Sequence, residues 1–145
     1  MKKFEYKDID QEGHETLSVI AEADNFNRWM YNTIKPYCKG KVLEIGSGVG
    51  NISEYFIEDG FTIFLTDIRN NYCEVLKQKF STKKSVLGIE QIDLVDIDFD
   101  KKHAKHFGSF DTVFALNVIE HIEDDKMAIA NCKKLLAKDG SLIIL

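Results

Sequence analysis

From residue 41 onward, short apolar runs alternate with segments in which apolar residues return every three or four positions. The first pattern is that of strands buried on both faces; the second is that of helices with one apolar stripe. Lys41-Val42-Leu43-Glu44-Ile45 reads as a strand entering a glycine-rich loop. Ile52, Tyr55 and Phe56 mark a helix that Gly60 closes. Residues 61–66 (FTIFLT) are a second strand ending at Asp67, and Tyr72, Val75, Leu76 and Phe80 form another helical stripe. Residues 86–93 hold a third strand ending near Asp93, and the charged stretch 98–107 carries a weakly patterned helix. Phe110 to Leu116 is a fourth strand. Residues 124–137 predict a helix capped by Asp124 or Asp125, with Met127, Ala130 and Leu135 inward. Gly140 breaks it, and Leu142 to Leu145 begin a fifth strand. Before residue 41 the pattern is looser. Residues 1–23 form an irregular arm or a short helix. Asp24 caps a helix carrying Phe26, Trp29, Met30 and Ile34 to one side, which Pro36 and Gly40 end.

Strands alternating with helices imply an α/β fold, a doubly wound parallel sheet with helices on both faces. Right-handed crossovers favour the strand order 3-2-1-4-5. Residues 1–40 are then an arm and helix packed on a core formed by residues 41–145. Composition changes this picture little: 145 residues, 44% hydrophobic and 30% charged, suit one globular unit. The net charge of −5 gives no nonspecific attraction to nucleic acid or to anionic membrane. No apolar run approaches the roughly 20 residues of a membrane span, and the first residues do not read as a signal peptide. Cys38, Cys73 and Cys132 are an odd count without CxxC spacing. That points to neither a disulfide framework nor a zinc site, and fits reduced thiols in the cytoplasm.

The sharpest chemical signal is Glu44-Ile45-Gly46-Ser47-Gly48-Val49-Gly50-Asn51, placed between a strand and a helix. Gly46 and Gly48 permit a tight turn and let a ligand press against bare backbone. In a dinucleotide site the third glycine falls three places after the second, where this chain has Asn51; here it comes one place early, at Gly50. A carboxylate, Glu44, stands two residues before the first glycine.

This E-x-G-x-G-x-G pattern resembles motif I of the class I, Rossmann-like S-adenosylmethionine (SAM) dependent methyltransferases. The resemblance runs from Val42 to Leu145 and includes VLEIGSGVGNIS, Asp67, Asp93, FDTVFALNVIEHIEDD and LLAKDGSLIIL, in that order. It implies that SAM is the cofactor and S-adenosylhomocysteine the product. It places Glu44 near the amino-acid end of the ligand, with Gly46, Ser47 and Gly48 along the methionine and ribose portions. Asn51 and Asn117 belong to the same implied cofactor set. Asp67, 21 residues after Gly46, stands where a carboxylate accepts from both ribose hydroxyls. Ile68 packs on the adenine, and Asp93 with Leu94 matches the block that meets the adenine amino group. Asp96, Asp98 and Asp100 crowd the same stretch.

The fourth strand leads into Leu116-Asn117-Val118-Ile119-Glu120-His121, at the end of the sheet where ligands of such folds sit. Methyl transfer is an in-line displacement that asks mainly for orientation, and a base helps where the acceptor must lose a proton. His121 is the candidate base; the alternative is that it only shapes the pocket. Ubiquinone-pathway and small-RNA methyltransferases carry E-x-x-E-H here and bind a metal with it. Asn117 replaces the first glutamate, so no metal is expected. His103 and His106 read as members of a solvated charged helix, and His14 as uninformative. On the helix before motif I, Arg28 or Trp29 is a candidate ligand contact, and Met30 and Ile34 are expected to pack on the sheet.

The resemblance also implies two further strands after Leu145, so the chain is expected to be a truncated unit lacking much of its acceptor site. The acceptor expected is a small molecule or glycan-related compound. The alternatives are a noncatalytic SAM-binding module and a nicotinamide-dependent oxidoreductase. The apolar run at residues 142–145 is expected to be an exposed edge through which chains self-associate, or to fray.

Overall fold

A computed structural model describes residues 23–145; the arm expected before residue 23 and His14 lie outside them. Five parallel strands form one sheet in the order β3-β2-β1-β4-β5. They are β1 (Lys41–Ile45), β2 (Thr62–Asp67), β3 (Val86–Gln91), β4 (Phe110–Ala115) and β5 (Leu136–Ile144). The helices are α1 (Asp24–Ile34), α2 (Asn51–Glu58), α3 (Asn70–Phe80), α4 (Phe99–His103) and α5 (Asp125–Leu135), with one-turn 3₁₀ helices at Lys35–Tyr37, Ala104–His106 and Ile119–His121.

The two-residue alternation of the strands divides the core in two. Leu43, Ile45, Phe64, Val113 and Ala115 face Phe99 of α4 and Ala128, Cys132 and Leu135 of α5. Val42, Ile63, Leu65 and Phe114 face Met30 and Ile34 of α1, Phe56 of α2, and Leu76 and Phe80 of α3. The strand order reverses beside β1, whose residues pair with Thr62–Thr66 on one side and Thr112–Ala115 on the other. A cleft opens at the carboxyl ends of strands around such a reversal.

Several elements differ from the pattern-based reading. Ala23, not Asp24, is the residue before α1, and Asp24 lies in its first turn. The buried face of α1 is Asn27, Met30, Tyr31 and Ile34, while Phe26 and Trp29 are 44% and 57% exposed and stack on each other. The Tyr31 hydroxyl donates to Asp59, beside α2, and its ring meets Phe56 edge-on at 4.8 Å. The third strand stops at Gln91, so Asp93 lies in the following loop. Asp124 caps α5, accepting from the Met127 N–H at 3.0 Å. The inward stripe of α5 is Ala128, Asn131, Cys132 and Leu135, with Ala130 exposed.

Gly140 does not break α5, which has already ended at Leu135. Leu136 pairs with Phe110 and Ser141 with Thr112, so four residues of β5 bulge opposite Asp111 alone. Asp139 makes the left-handed turn there, at φ 63°. Beyond the bulge β5 runs beside β4, and Leu145 exchanges backbone hydrogen bonds with Ala115 and Asn117.

Candidate cofactor site

Strand β1 ends at Ile45, and the chain must then turn sharply to enter α2. Three successive left-handed glycines do this, at φ 72°, 57° and 88° for Gly46, Gly48 and Gly50. The Ser47 N–H donates to the Thr66 carbonyl at 2.8 Å, and the Gly50 N–H to the Ser47 carbonyl at 2.9 Å, so the loop is stitched to β2. Lys79 of α3 closes it from outside, donating to the Val49 carbonyl at 2.8 Å. A methyl group on Gly46 would lie 2.5 Å from Val118, and one on Gly50 would lie 2.4 Å from the Phe80 ring. These two glycines are bare because the protein itself packs against them, a different reason from the ligand approach expected at Gly46.

The loop forms one wall of a cavity of about 290 Å³ at the carboxyl ends of β1, β2 and β4. Glu44, Gly46, Ser47, Gly48, Asn51, Asp67, Ile68, Asp93, Leu94, Asn117 and His121 all line it. The structure therefore brings these eleven residues to one place. It adds Asn27, Met30, Arg69, Tyr72, Val118 and Ile122, which the sequence reading did not select as site residues. Arg28 and Trp29 do not line it: Arg28 lies over the Tyr55 ring, and the α1 residues that reach the cavity are Asn27 and Met30.

Two carboxylates are buried in this cavity. Asp67 ends β2 and is 5% exposed. One of its oxygens accepts from the Gly48 N–H and the other from the Arg69 N–H, each at 2.9 Å. Burial raises its pKa, and the backbone N–H groups of Arg69, Gly48 and Ile68, with the Arg69 charge, pull the other way. Each oxygen keeps a lone pair for a further donor.

Glu44, on β1, is 3% exposed and accepts from the Ser53 hydroxyl of α2. Burial pushes its pKa up to about 7; hydrogen bonds from Ser53 and Ser47 lower it, and the neighbouring Asp67 charge raises it.

Opposite the loop, Asn117 follows β4 in a left-handed conformation at φ 55°. Its N–H donates to the Leu145 carbonyl at 2.9 Å, and its amide nitrogen lies 3.7 Å from the Met30 sulfur. Met30 thus joins α1 to the end of β4 across the top of the cavity. His121, at the rim, is largely exposed, with Glu120 3.8 Å away. Among the described residues no three His, Cys, Asp or Glu side chains gather as a metal site would require. Asp93 accepts from the Val95 N–H at 2.9 Å. Of its acidic neighbours, Asp96 pairs with Lys102 and Asp100 with Lys134, while Asp98 precedes α4 without capping it through its side chain.

His103 and His106 are not on a solvated face. His103 is 6% exposed, packs on Phe99 at 4.9 Å, and leaves its Nδ1 without a hydrogen-bond partner. His106 lies 2.9 Å from Glu90 and edge-on to Phe64.

An open doubly wound sheet with its cavity at the switch point defines an α/β protein of the class that places its ligand at the carboxyl ends of the strands. Residues 43–142 match the family model of a methyltransferase domain, and the chain belongs to that family. It is 28% identical over 122 residues to the ubiquinone biosynthesis O-methyltransferase of Haemophilus ducreyi, covering 81% of this chain and 51% of that protein. The Actinobacillus pleuropneumoniae protein of the same name is 29% identical over 102 residues, 70% of this chain and 43% of that one. The chain thus spans about half the length of the curated relatives it matches. Among solved structures, a candidate SAM-dependent methyltransferase of Methanococcus maripaludis superposes with a TM-score of 0.74 at 20% identity, over 99% of this chain and 66% of that one. The trans-methyltransferase CalH, in complex with S-adenosylhomocysteine, superposes with a TM-score of 0.63 at 21% identity, over 84% and 38%. These structural likenesses are of fold.

Proposed function

We propose that the protein is a SAM-dependent methyltransferase acting on a small-molecule acceptor. The observation that carries this reading is the pair of buried carboxylates, Glu44 and Asp67, in one cavity at the switch point. SAM suits that pair: it has a ribose diol to donate hydrogen bonds and cationic groups to meet buried negative charge. Asp67 holds the ribose through the lone pairs left by Gly48 and Arg69. Ile68 and Leu94 flank the adenine, and Asp93 accepts from its amino group. Glu44, Ser47 and the backbone at Gly46 and Gly48 line the amino-acid portion, with Asn51 and Asn117 completing the wall. When bound, the cofactor supplies a methyl carbon activated by its sulfonium.

The chain's own task is then orientation and exclusion of water, in which Met30 and Asn117 close the cavity from above. His121, exposed at the rim, takes the proton of a hydroxyl or amine acceptor. The net charge of −5 speaks for a small acceptor over nucleic acid. The acceptor itself we take to be a small molecule or glycan-related compound; ubiquinone biosynthesis, named for the relatives, is compatible with this. We place the protein in the cytoplasm, in keeping with three free thiols; no described helix is long and apolar enough to cross a membrane.

Calorimetry tests the reading. SAM and S-adenosylhomocysteine should bind and NAD should not; tight NAD binding without SAM binding would make this an oxidoreductase domain. Asp67→Ala should weaken SAM binding by roughly 1.5–3 kcal/mol, the range for hydrogen bonds to a charged group. An unchanged affinity would mean that the ribose lies elsewhere.

A further inference from the structure

Glu44 presents an unusual charge problem. It sits in the middle of the sheet, on the strand flanked on both sides, and points into the cavity. Its nearest polar groups are hydroxyls: Ser53 from α2 donates to it, and Ser47 lies in the loop beside it. From β2 the facing group is another acid, Asp67. From β4 its register partner is Phe114, and from α1 the cavity receives only Asn27 and Met30. The cavity's other titratable side chains, apart from its arginine, are Tyr72, Asp93 and His121. Its one arginine, Arg69, lies over the Tyr72 ring and acts on Asp67. Among the described residues no lysine or arginine pairs with Glu44. A buried carboxylate without a cation is costly to keep ionised, and it takes a proton instead.

Resting on the cofactor reading above, we propose that Glu44 is a proton-exchanging binding residue: a cationic ligand that enters the cavity expels the carboxyl proton to solvent and takes its place as the countercharge. The O–H bond of Glu44 breaks, the proton passes to buffer, and the carboxylate forms an ion pair with the ligand's cation; no electrons are transferred. Ligand affinity is then coupled to pH by linkage. Below neutrality the ligand must displace a bound proton, so its affinity falls by up to about tenfold per pH unit. Above neutrality it meets a carboxylate already formed. The burial that lifts this group to about pH 7 puts the exchange within the physiological range.

Calorimetric titration of the 145-residue chain with SAM, in pairs of buffers of different ionisation enthalpy at one pH, counts the protons. About 0.9 proton should be released per SAM bound at pH 6 and about a quarter of a proton at pH 7.5, as follows for a group half-protonated near 7. Glu44→Gln should bind SAM more weakly, release essentially no proton, and lose the pH dependence between 6 and 7.5. A measurement on the unmodified chain stands beside the variant: with ¹³C-labelled glutamate, one carboxyl resonance should titrate near neutrality and stop doing so when SAM is added. SAM binding with equal heats in both buffers at pH 6 would overturn the exchange and leave the cofactor reading standing. No glutamate titrating above pH 6 would overturn it likewise. No SAM binding at any pH would remove the cofactor reading and the exchange together.

Discussion

At the scale of single residues, the site depends on what each side chain has left to offer. Asp67 spends one lone pair of each oxygen on the backbone N–H groups of Gly48 and Arg69, so its carboxylate is fixed in place before any ligand arrives. His121 is the opposite case, largely exposed with Glu120 3.8 Å away, and so placed to turn toward an acceptor. If it is the base of the proposed methyl transfer, His121→Ala should slow turnover by about 10²-fold with SAM affinity nearly intact. A loss confined to SAM binding, measured by calorimetry beside the rate, would make it a wall of the pocket. Glu44, Asp67 and the glycines were legible in the sequence because they occupy fixed spacings along one continuous strand–loop–helix–strand unit, with Asp67 ending its second strand. Met30 and Asn27 were not, because they reach the cavity from a helix whose docking no local spacing encodes.

At the scale of elements, the reading by periodicity fails where a buried position is polar. Asn27 and Asn131 are both 3% exposed, and Asn131 donates to the Leu94 carbonyl at 2.8 Å, pinning the loop that carries Asp93. Counting only apolar residues therefore turned the α1 stripe toward Trp29 and the α5 stripe toward Ala130. The charged look of residues 98–107 hid a real stripe in the same way, since Phe99 and His103 lie four apart and pack together. Burial lowers the His103 pKa, with Glu90 and Asp96 opposing and His106 and Lys102 assisting. The sign follows: the unfolded chain takes up the proton first, so the folded state loses stability as pH falls below about 6.5. His103→Phe removes both this proton and an unpartnered buried nitrogen. It should stabilise the protein by about 1–2 kcal/mol at pH 7.5, and the gain over wild type should grow toward pH 5.5. Urea denaturation of the two proteins across that range measures it. A gain that shrinks with acid would mean that the imidazole is charged in the folded state.

For the molecule as a whole, the order 3-2-1-4-5 was legible from the alternation of strands and helices. The bulge at residues 137–140 was not, because Gly140 looked like a helix breaker while Asp139 makes the turn. Strand β5 pairs with β4 through Leu145, and its other edge has no partner among the described residues. Such an edge recruits a second strand. The 145-residue chain should therefore associate as concentration rises. Ile144 is the residue to test, being 43% exposed, whereas Ile143 packs on the core. Ile144→Lys should return the chain to monomer in light scattering; a wild-type chain that stays monomeric at high concentration would rule this route out.

The contact between Gly50 and Phe80 has a consequence for descent. The early third glycine, the mark that separates this motif from that of a dinucleotide site, is required by an aromatic ring thirty residues away, on a different helix. A lineage that replaced Gly50 by alanine would retain the left-handed strain of the turn, yet it could escape the collision by trimming the ring. Gly50→Ala should thus be markedly less harmful to stability in a Phe80→Ala background than in the wild type, as a thermodynamic double-mutant cycle would register. The last letter of this glycine signature is thus set by a packing residue that does not line the cavity.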